Sequence, residues 1–296
     1  MPRLFTLLGI TLLTFCLTHV IPADPARTIA GPKADRKTID SIRRELHLDA
    51  PLPVQFGRYL ARLMQGDLGR SYLTRQNVLD AVLERLPATA LLAAAALAVA
   101  VAAGLIGGIG AAVSGPRGEA AFLVVSTVLV SFPVFWLGLM LLFVLGFRLR
   151  LVPLGGYGSA ADVVLPALTL GLAMGAYYAR LLHANMRVAL QSDYVRTARA
   201  KGVSPAGVYG RHALRNALLP FVTLAALDFA ALLGGVALTE TVFNWPGLGR
   251  LAVEAVVNQD VPMIMGVVLF SALLVVGLNA VVDGAYRFID PRVASS

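Results

Sequence analysis

Six apolar runs divide this chain, at residues 4–21, 89–113, 122–147, 163–182, 218–242 and 263–286. A helix needs roughly 20 apolar residues to cross the hydrocarbon of a bilayer. No water is available there, so every backbone N–H and C=O must be satisfied inside the spanning element. The runs therefore predict an all-α polytopic membrane protein with six transmembrane helices. Composition agrees: of 296 residues, 57% are hydrophobic and only 14% charged, where soluble domains average about 25% charged.

Charge placement orients the spans. Counted over short loops, one side carries ten Lys or Arg: Arg3, Arg117, Arg187, Arg196, Arg199, Lys201, Arg211, Arg215, Arg287 and Arg292. The other side carries three, Arg148, Arg150 and Arg250. Basic loops stay cytoplasmic, while a long loop translocates largely regardless of its charge. Both termini are thus expected in the cytoplasm and residues 22–88 outside. The expected organisation is a first span at 1–21, an external loop domain at 22–88, and a five-helix core at 89–296 with a cytoplasmic loop at 183–217. The net charge of +8 lies in these loops, so it reads as membrane topology and contact with anionic lipid, not nucleic-acid binding.

The external segment predicts two helical patches, at 38–46 and 54–64. The second places Phe56, Tyr59, Leu60 and Leu63 on one face. Gly66-Asp67-Leu68-Gly69 predicts a turn. In the core, Pro133 falls within the third run, where a proline is tolerated if neighbours satisfy the backbone. Gly104, Gly107, Gly171 and Gly175 lie at spacings that permit close helix packing.

The most basic stretch between two apolar runs is DYVRTARAKGVSPAGVYGRHALRNALLP, residues 193–220. It predicts a helix, a break from Gly202 to Pro205, and a second helix carrying Arg211 to Asn216. RTARAKG followed by RHALRNALLP resembles the cytoplasmic loop of ABC importer permeases of the dipeptide, oligopeptide and nickel branch. Arg196-Thr197-Ala198 and Gly202 match that family's E-A-A-x-x-x-G element, and Leu219-Pro220 its closing Leu-Pro. Arg196 stands where the family generally has glutamate, and the distance from Gly202 to Pro220 is longer than in sugar importers.

Other stretches carry the same resemblance. GITLLTF followed by HVIPADP resembles the first span of these permeases, which favours a retained helix over a cleaved signal peptide. LHLDAPLPVQF and GDLGRSY resemble the external domain of the subunit type with a long first loop. TETVFNWPGLGR, at 239–250, resembles the external loop beside the binding protein, and Asp290-Pro291-Arg292 the C-terminal ending.

The resemblance implies a type I ABC importer permease-like fold and a chain that moves small solutes, foremost peptides or nickel chelates. It implies these partners besides the bilayer's lipid: a second homologous permease, two cytoplasmic ATPases holding ATP and magnesium, and an external binding protein. Asp193, Tyr194, Arg196, Thr197, Ala198, Arg199, Ala200, Lys201 and Gly202 would form the helix that docks on the ATPase. Asn244, Trp245, Pro246 and Gly247 would lie near the binding protein, with Trp245 read as an interfacial anchor. The alternative is a secondary transporter or channel working without an ATPase, for which an internal repeat around a midplane site would be the signature.

Acids in or near spans are candidates for function because they are costly there. Asp228 and Glu240 are the translocation-pathway candidates, Glu240 with a structural pairing to Arg250 favoured. Asp283 precedes Arg287 by four residues and is expected to pair with it. The sequence has no P-loop, so no ATP site and no cofactor of its own is expected. Its histidines, His19, His47, His183 and His212, lack metal-ligand spacing, so no metal is expected. His183 and Asn185 are expected to cap the fourth span. No nucleophile–base pattern supports a catalytic residue. Cys16 is the single cysteine and cannot form an intrachain disulfide.

Overall fold

A computed structural model describes residues 2–20, 25–31, 34–45 and 48–289. Its helices run in the order α1 (Pro2–Val20), α2 (Pro25–Ala30), α3 (Arg36–Glu45), α4 (Leu52–Leu63), α5 (Val78–Val113), α6 (Pro116–Ser131), α7 (Val134–Leu141), α8 (Val164–Leu190), α9 (Asp193–Ala200), α10 (Pro205–Gly207), α11 (Arg215–Leu233), α12 (Ala237–Val242), α13 (Leu248–Val257) and α14 (Val261–Ile289). Wider π-helical turns extend α7 through Leu142–Arg148 and join α10 to α11 through Val208–Leu214.

Among the described residues, four stretches are long and apolar enough to cross a membrane unbroken: Val78–Val113, Ala160–Leu190, Pro205–Leu233 and Val261–Gly284. The third apolar run differs from the single span expected. Its two halves, Pro116–Ser131 and Val134–Arg148, meet at 100° and make a fifth span only if counted together. The cause is local. Pro133 has no N–H to give the helix and disfavours a helical residue before it, and Phe132 is extended, at φ −81° and ψ 136°.

Two further boundaries differ. Helix α5 begins at Val78 rather than near Thr89 and carries Pro87 within it. Its 36 residues correspond to about 54 Å, well beyond the roughly 30 Å of hydrocarbon. The Asn77 carboxamide starts it by accepting from the Leu79 N–H at 2.9 Å, as a capping side chain does. The fifth run stops as a helix at Leu233, and 237–242 form the separate α12. Gly235 makes the break, with φ +101° and a backbone that abuts Gly249: a Cβ there would lie 2.6 Å from the Gly249 nitrogen.

The chain divides into two compact units. The first contains residues 1–89, 233–237 and 246–296. Its core joins Val78 and Val82 of α5 to Leu248 and Leu251 of α13 and to Met263 and Val267 of α14. Helix α1 packs along α14, and α4 closes on both through Phe15, Tyr59 and Met265. The Phe15 and Phe56 rings lie 5.1 Å apart. The two helices expected at 38–46 and 54–64 are present as α3 and α4, and Gly66 and Gly69 turn the chain at φ +77° and +88°.

The second unit contains residues 90–232 and 238–245. Its seam is the contact of α5 with α8, where glycines alternate across the interface. A Cβ on Gly171 would overlap Val99 Cβ, on Gly175 it would lie 2.7 Å from Ala103 Cβ, and on Gly104 2.7 Å from Tyr178 Cβ. Lipid offers apolar side chains no hydrophobic gain on pairing, so close van der Waals packing over small residues must hold such helices together. Tyr178, Leu182 and Met186 of α8 continue the core against Ala213, Ala217 and Phe221.

Candidate functional site

Helix α9 is short, amphipathic and anchored from beneath. Its inward side chains, Val195 and Ala198, are 0% and 6% exposed. Asp193, Tyr194, Arg196, Thr197, Arg199, Ala200, Lys201 and Gly202 are exposed. Asp193 occupies the first turn and Arg199 the last, each at the helix end whose partial charge it complements. The Thr197 hydroxyl donates to the Asp193 carbonyl at 2.9 Å. Arg196 reaches the Asp193 carboxylate at 3.4 Å, with both side chains largely in solvent. Such a pair contributes little, so the basic face is available to a partner.

Gly202 ends α9 in a Schellman arrangement: its N–H donates to Arg199 O at 3.0 Å and the Val203 N–H to Ala198 O at 3.2 Å. That closure needs a left-handed residue after the helix, and Gly202 supplies φ +77°. Nothing within 4 Å would meet a Cβ there, so within this chain the requirement is conformational and not steric. The expected break at 202–205 is present, with Ser204 accepting from the Gly207 N–H at 3.3 Å. The second helical segment returns over α9, where Asn216 donates to the Tyr194 hydroxyl at 2.9 Å.

The turn after α12 departs from expectation at Trp245. The indole is 1% exposed and meets Tyr157 edge-on, with ring centroids 4.9 Å apart. It is a core residue of the second unit and not an interfacial anchor. The loop at 149–159 makes this possible: the Gly156 N–H donates to Phe243 O at 3.0 Å, and a Cβ on Gly155 would overlap that oxygen. Asn244, exposed with φ +52°, takes the tight corner. Pro246 and Gly247 lead into α13 of the first unit, where the Leu248 N–H donates to the Thr89 hydroxyl at 2.8 Å.

Of the two pathway candidates, Asp228 lies in the spanning helix α11 and accepts a hydrogen bond from the Tyr178 hydroxyl at 2.9 Å. Glu240 is fully buried, and its carbonyl accepts from the Trp245 N–H at 2.8 Å. Arg250 pairs with Glu254 at 2.7 Å. The side chains of His19 and Arg287 lie outside what the structure describes, as do residues His47 and Asp290 to Arg292.

Two family descriptions match the sequence. "Binding-protein-dependent transport system inner membrane component" covers residues 100–295, and the N-terminal description of the same kind of membrane component covers residues 1–93. The chain belongs to this permease family. As a binding-protein-dependent permease it is the membrane subunit of an ABC importer, not the ATPase of one, and an inner membrane component. It is 42% identical over 289 residues to the glutathione transport system permease protein GsiC of Escherichia coli, a match covering 97% of this chain and 94% of the relative. The proteins of that name from Shigella dysenteriae and Salmonella paratyphi A match at the same identity and coverage.

The permease also holds polar clusters that sequence reasoning missed. Glu119, in the first turn of α6, accepts from Arg187 at 2.5 Å and lies 3.3 Å from His183 Nε2. His183 and Asn185 are therefore not caps: α8 continues to Leu190, and His183 faces α6, 6% exposed. The only sequence signal was His183 and Arg187 at i,i+4 on one helix face. In the first unit, Asp260 starts α14 and accepts from the Ser71 hydroxyl and from the Tyr72 N–H, the latter at 3.1 Å. Burial pushes the Tyr72 phenol up from its ordinary value, with the Asp260 charge adding to the rise. No sequence pattern links residues so far apart.

Proposed function

We propose that this chain is one permease of an importer that takes up short peptides, with glutathione the first to test. The name of the relatives and the coverage of their match support the substrate class. In this reading α1 is the first of six spans, the bent α6–α7 pair is the third, and both termini are cytoplasmic. A second, homologous permease completes the pore, and an external binding protein delivers substrate near Asn244, Trp245, Pro246 and Gly247. Two cytoplasmic ATPases bind ATP and magnesium and dock on residues 193–202. ATP acts as a ligand that prefers one global state, which is what a population shift requires. Asp228 and Glu240 line or border the path.

The observation that carries the proposal is the construction of α9: an exposed basic face on a helix fixed by buried Val195 and Ala198, between two long apolar helices. A push on that face moves the ends of α8 and α11 with it, because α9 packs against α8 and against the turns that lead into α11. The test is co-purification in detergent with the ATPases encoded nearby, comparing the wild type with Arg199→Glu and Lys201→Glu. Both side chains are exposed, so reversal leaves the fold intact. Capture by the wild type and loss in the variants locates the docking face; equal capture by all three sinks it.

A further inference from the structure

Asp228 stands out as a carboxylate in a spanning helix with a single neutral partner. A carboxylate offers about four acceptor positions, and the Tyr178 hydroxyl fills one. Among the described residues no Lys, Arg or His pairs with it. Tyr178 is fully buried, and its ring is fixed against Phe221 with centroids 5.3 Å apart. The hydrogen bond therefore orients a carboxylate that is itself only partly buried. An ionised group left this way in hydrocarbon is costly, so its remaining acceptors belong with water or an incoming cation. Leu224, one helical turn before Asp228, and Leu227, the residue before it, line an open groove of about 490 Å³ between α8 and α11, with Tyr177, Leu181 and Thr223; Asp228 itself lies next to this lining and is not part of it.

The geometry points to Asp228, held by Tyr178, as a recognition group for the primary ammonium of the transported solute. An ammonium brings three donors and a positive charge, which matches the acceptors left over. A backbone or amide N–H would supply one donor and no charge, so this position favours substrates with a free amino group. The inference rests on the proposed path along α8 and α11, and its test separates the two.

The test uses the assembled importer in proteoliposomes, with Cys16→Ser to remove the native exposed thiol and Leu224→Cys as reporter. The rates of thiol modification by a cationic and an anionic methanethiosulfonate are compared in the resting and nucleotide-trapped states. With Asp228 intact the cationic reagent reacts roughly tenfold faster, as a unit charge a few ångströms away demands, and Asp228→Asn removes the preference. If the reporter reacts in neither state, the path reading fails. If it reacts without charge preference, or Asp228→Asn leaves the preference unchanged, the path stands and the ammonium assignment falls. A second arm follows uptake of reduced glutathione. Asp228→Asn lowers the rate several-fold and Asp228→Glu retains more of it; equal rates for Asn and Glu overturn the assignment.

Discussion

The Ser71 hydroxyl donates to the Asp260 carboxylate across 189 residues of chain, with both side chains buried, at 1% and 4% exposure. The same carboxylate takes the Tyr72 N–H and stands at the start of α14. One acid thus ties the turn after α4 to a spanning helix and sits at that helix's positive end. Asp260→Ala would remove the acceptor of the buried Ser71 hydroxyl, of the partly buried Tyr72 N–H and of the Met263 N–H at 3.5 Å, and each buried donor left unsatisfied costs ~1–3 kcal/mol. The melting temperature in detergent should fall, and residues 66–77 should become the first site of proteolysis. An unchanged digestion pattern would argue that the clasp does not hold this turn.

The α5–α8 seam should tolerate no added bulk. Gly175→Leu would place its Cβ 2.7 Å from Ala103 Cβ, and overpacking of this kind costs ~1–3 kcal/mol or more. At Gly110 a Cβ would meet nothing within 4 Å, so Gly110→Leu is the matched control. Size-exclusion profiles and melting curves should separate the two; equal behaviour would mean that the seam is looser than its distances imply.

Trp245 distinguishes a core residue from a membrane-interface anchor. A buried Trp→Ala change costs ~3–5 kcal/mol, whereas loss of an exposed ring costs far less. Trp245→Ala should therefore reduce the yield of folded protein sharply, and Trp245→Phe should recover part of it. Collisional quenching of the Trp245 fluorescence, in a Trp136→Phe background, should be weak.

Gly202 gives a prediction about backbone and not bulk. Left-handed φ is available to Gly and, at modest cost, to Asn, but other residues pay roughly 1 kcal/mol or more. ATPase capture should rank Gly, then Asn, then Ala, despite the similar space each finds. If Ala equals Gly, the Schellman closure is not what sets the docking geometry.

Much of this protein was determined by sequence alone, and the reasons are one-dimensional. Apolar run length marks helices in a solvent that cannot pair with backbone, so α5, α8, α11 and α14 were visible as runs. Charge distribution between runs gave the expected orientation, and the residues from Asp193 to Gly202 carry their own start, face and glycine stop within one short segment. Local chemistry also specified the helices α3 and α4 and the turn at Gly66.

Tertiary structure decided what depends on partners distant in the chain. A run of apolar residues does not say where its helix bends, so the 100° break at Pro133 appeared only in three dimensions. Hydropathy cannot tell a tryptophan facing lipid from one covered by a loop, because both are apolar surroundings; Tyr157 and the loop held by Phe243 decided that for Trp245. The same holds for acids. Asp228, Glu119 and Asp260 look alike in sequence, as acids within or just before apolar runs. Only the positions of Tyr178, of His183 with Arg187, and of Ser71 assign them three different environments, since a carboxylate's role is set by which donors the fold brings to it.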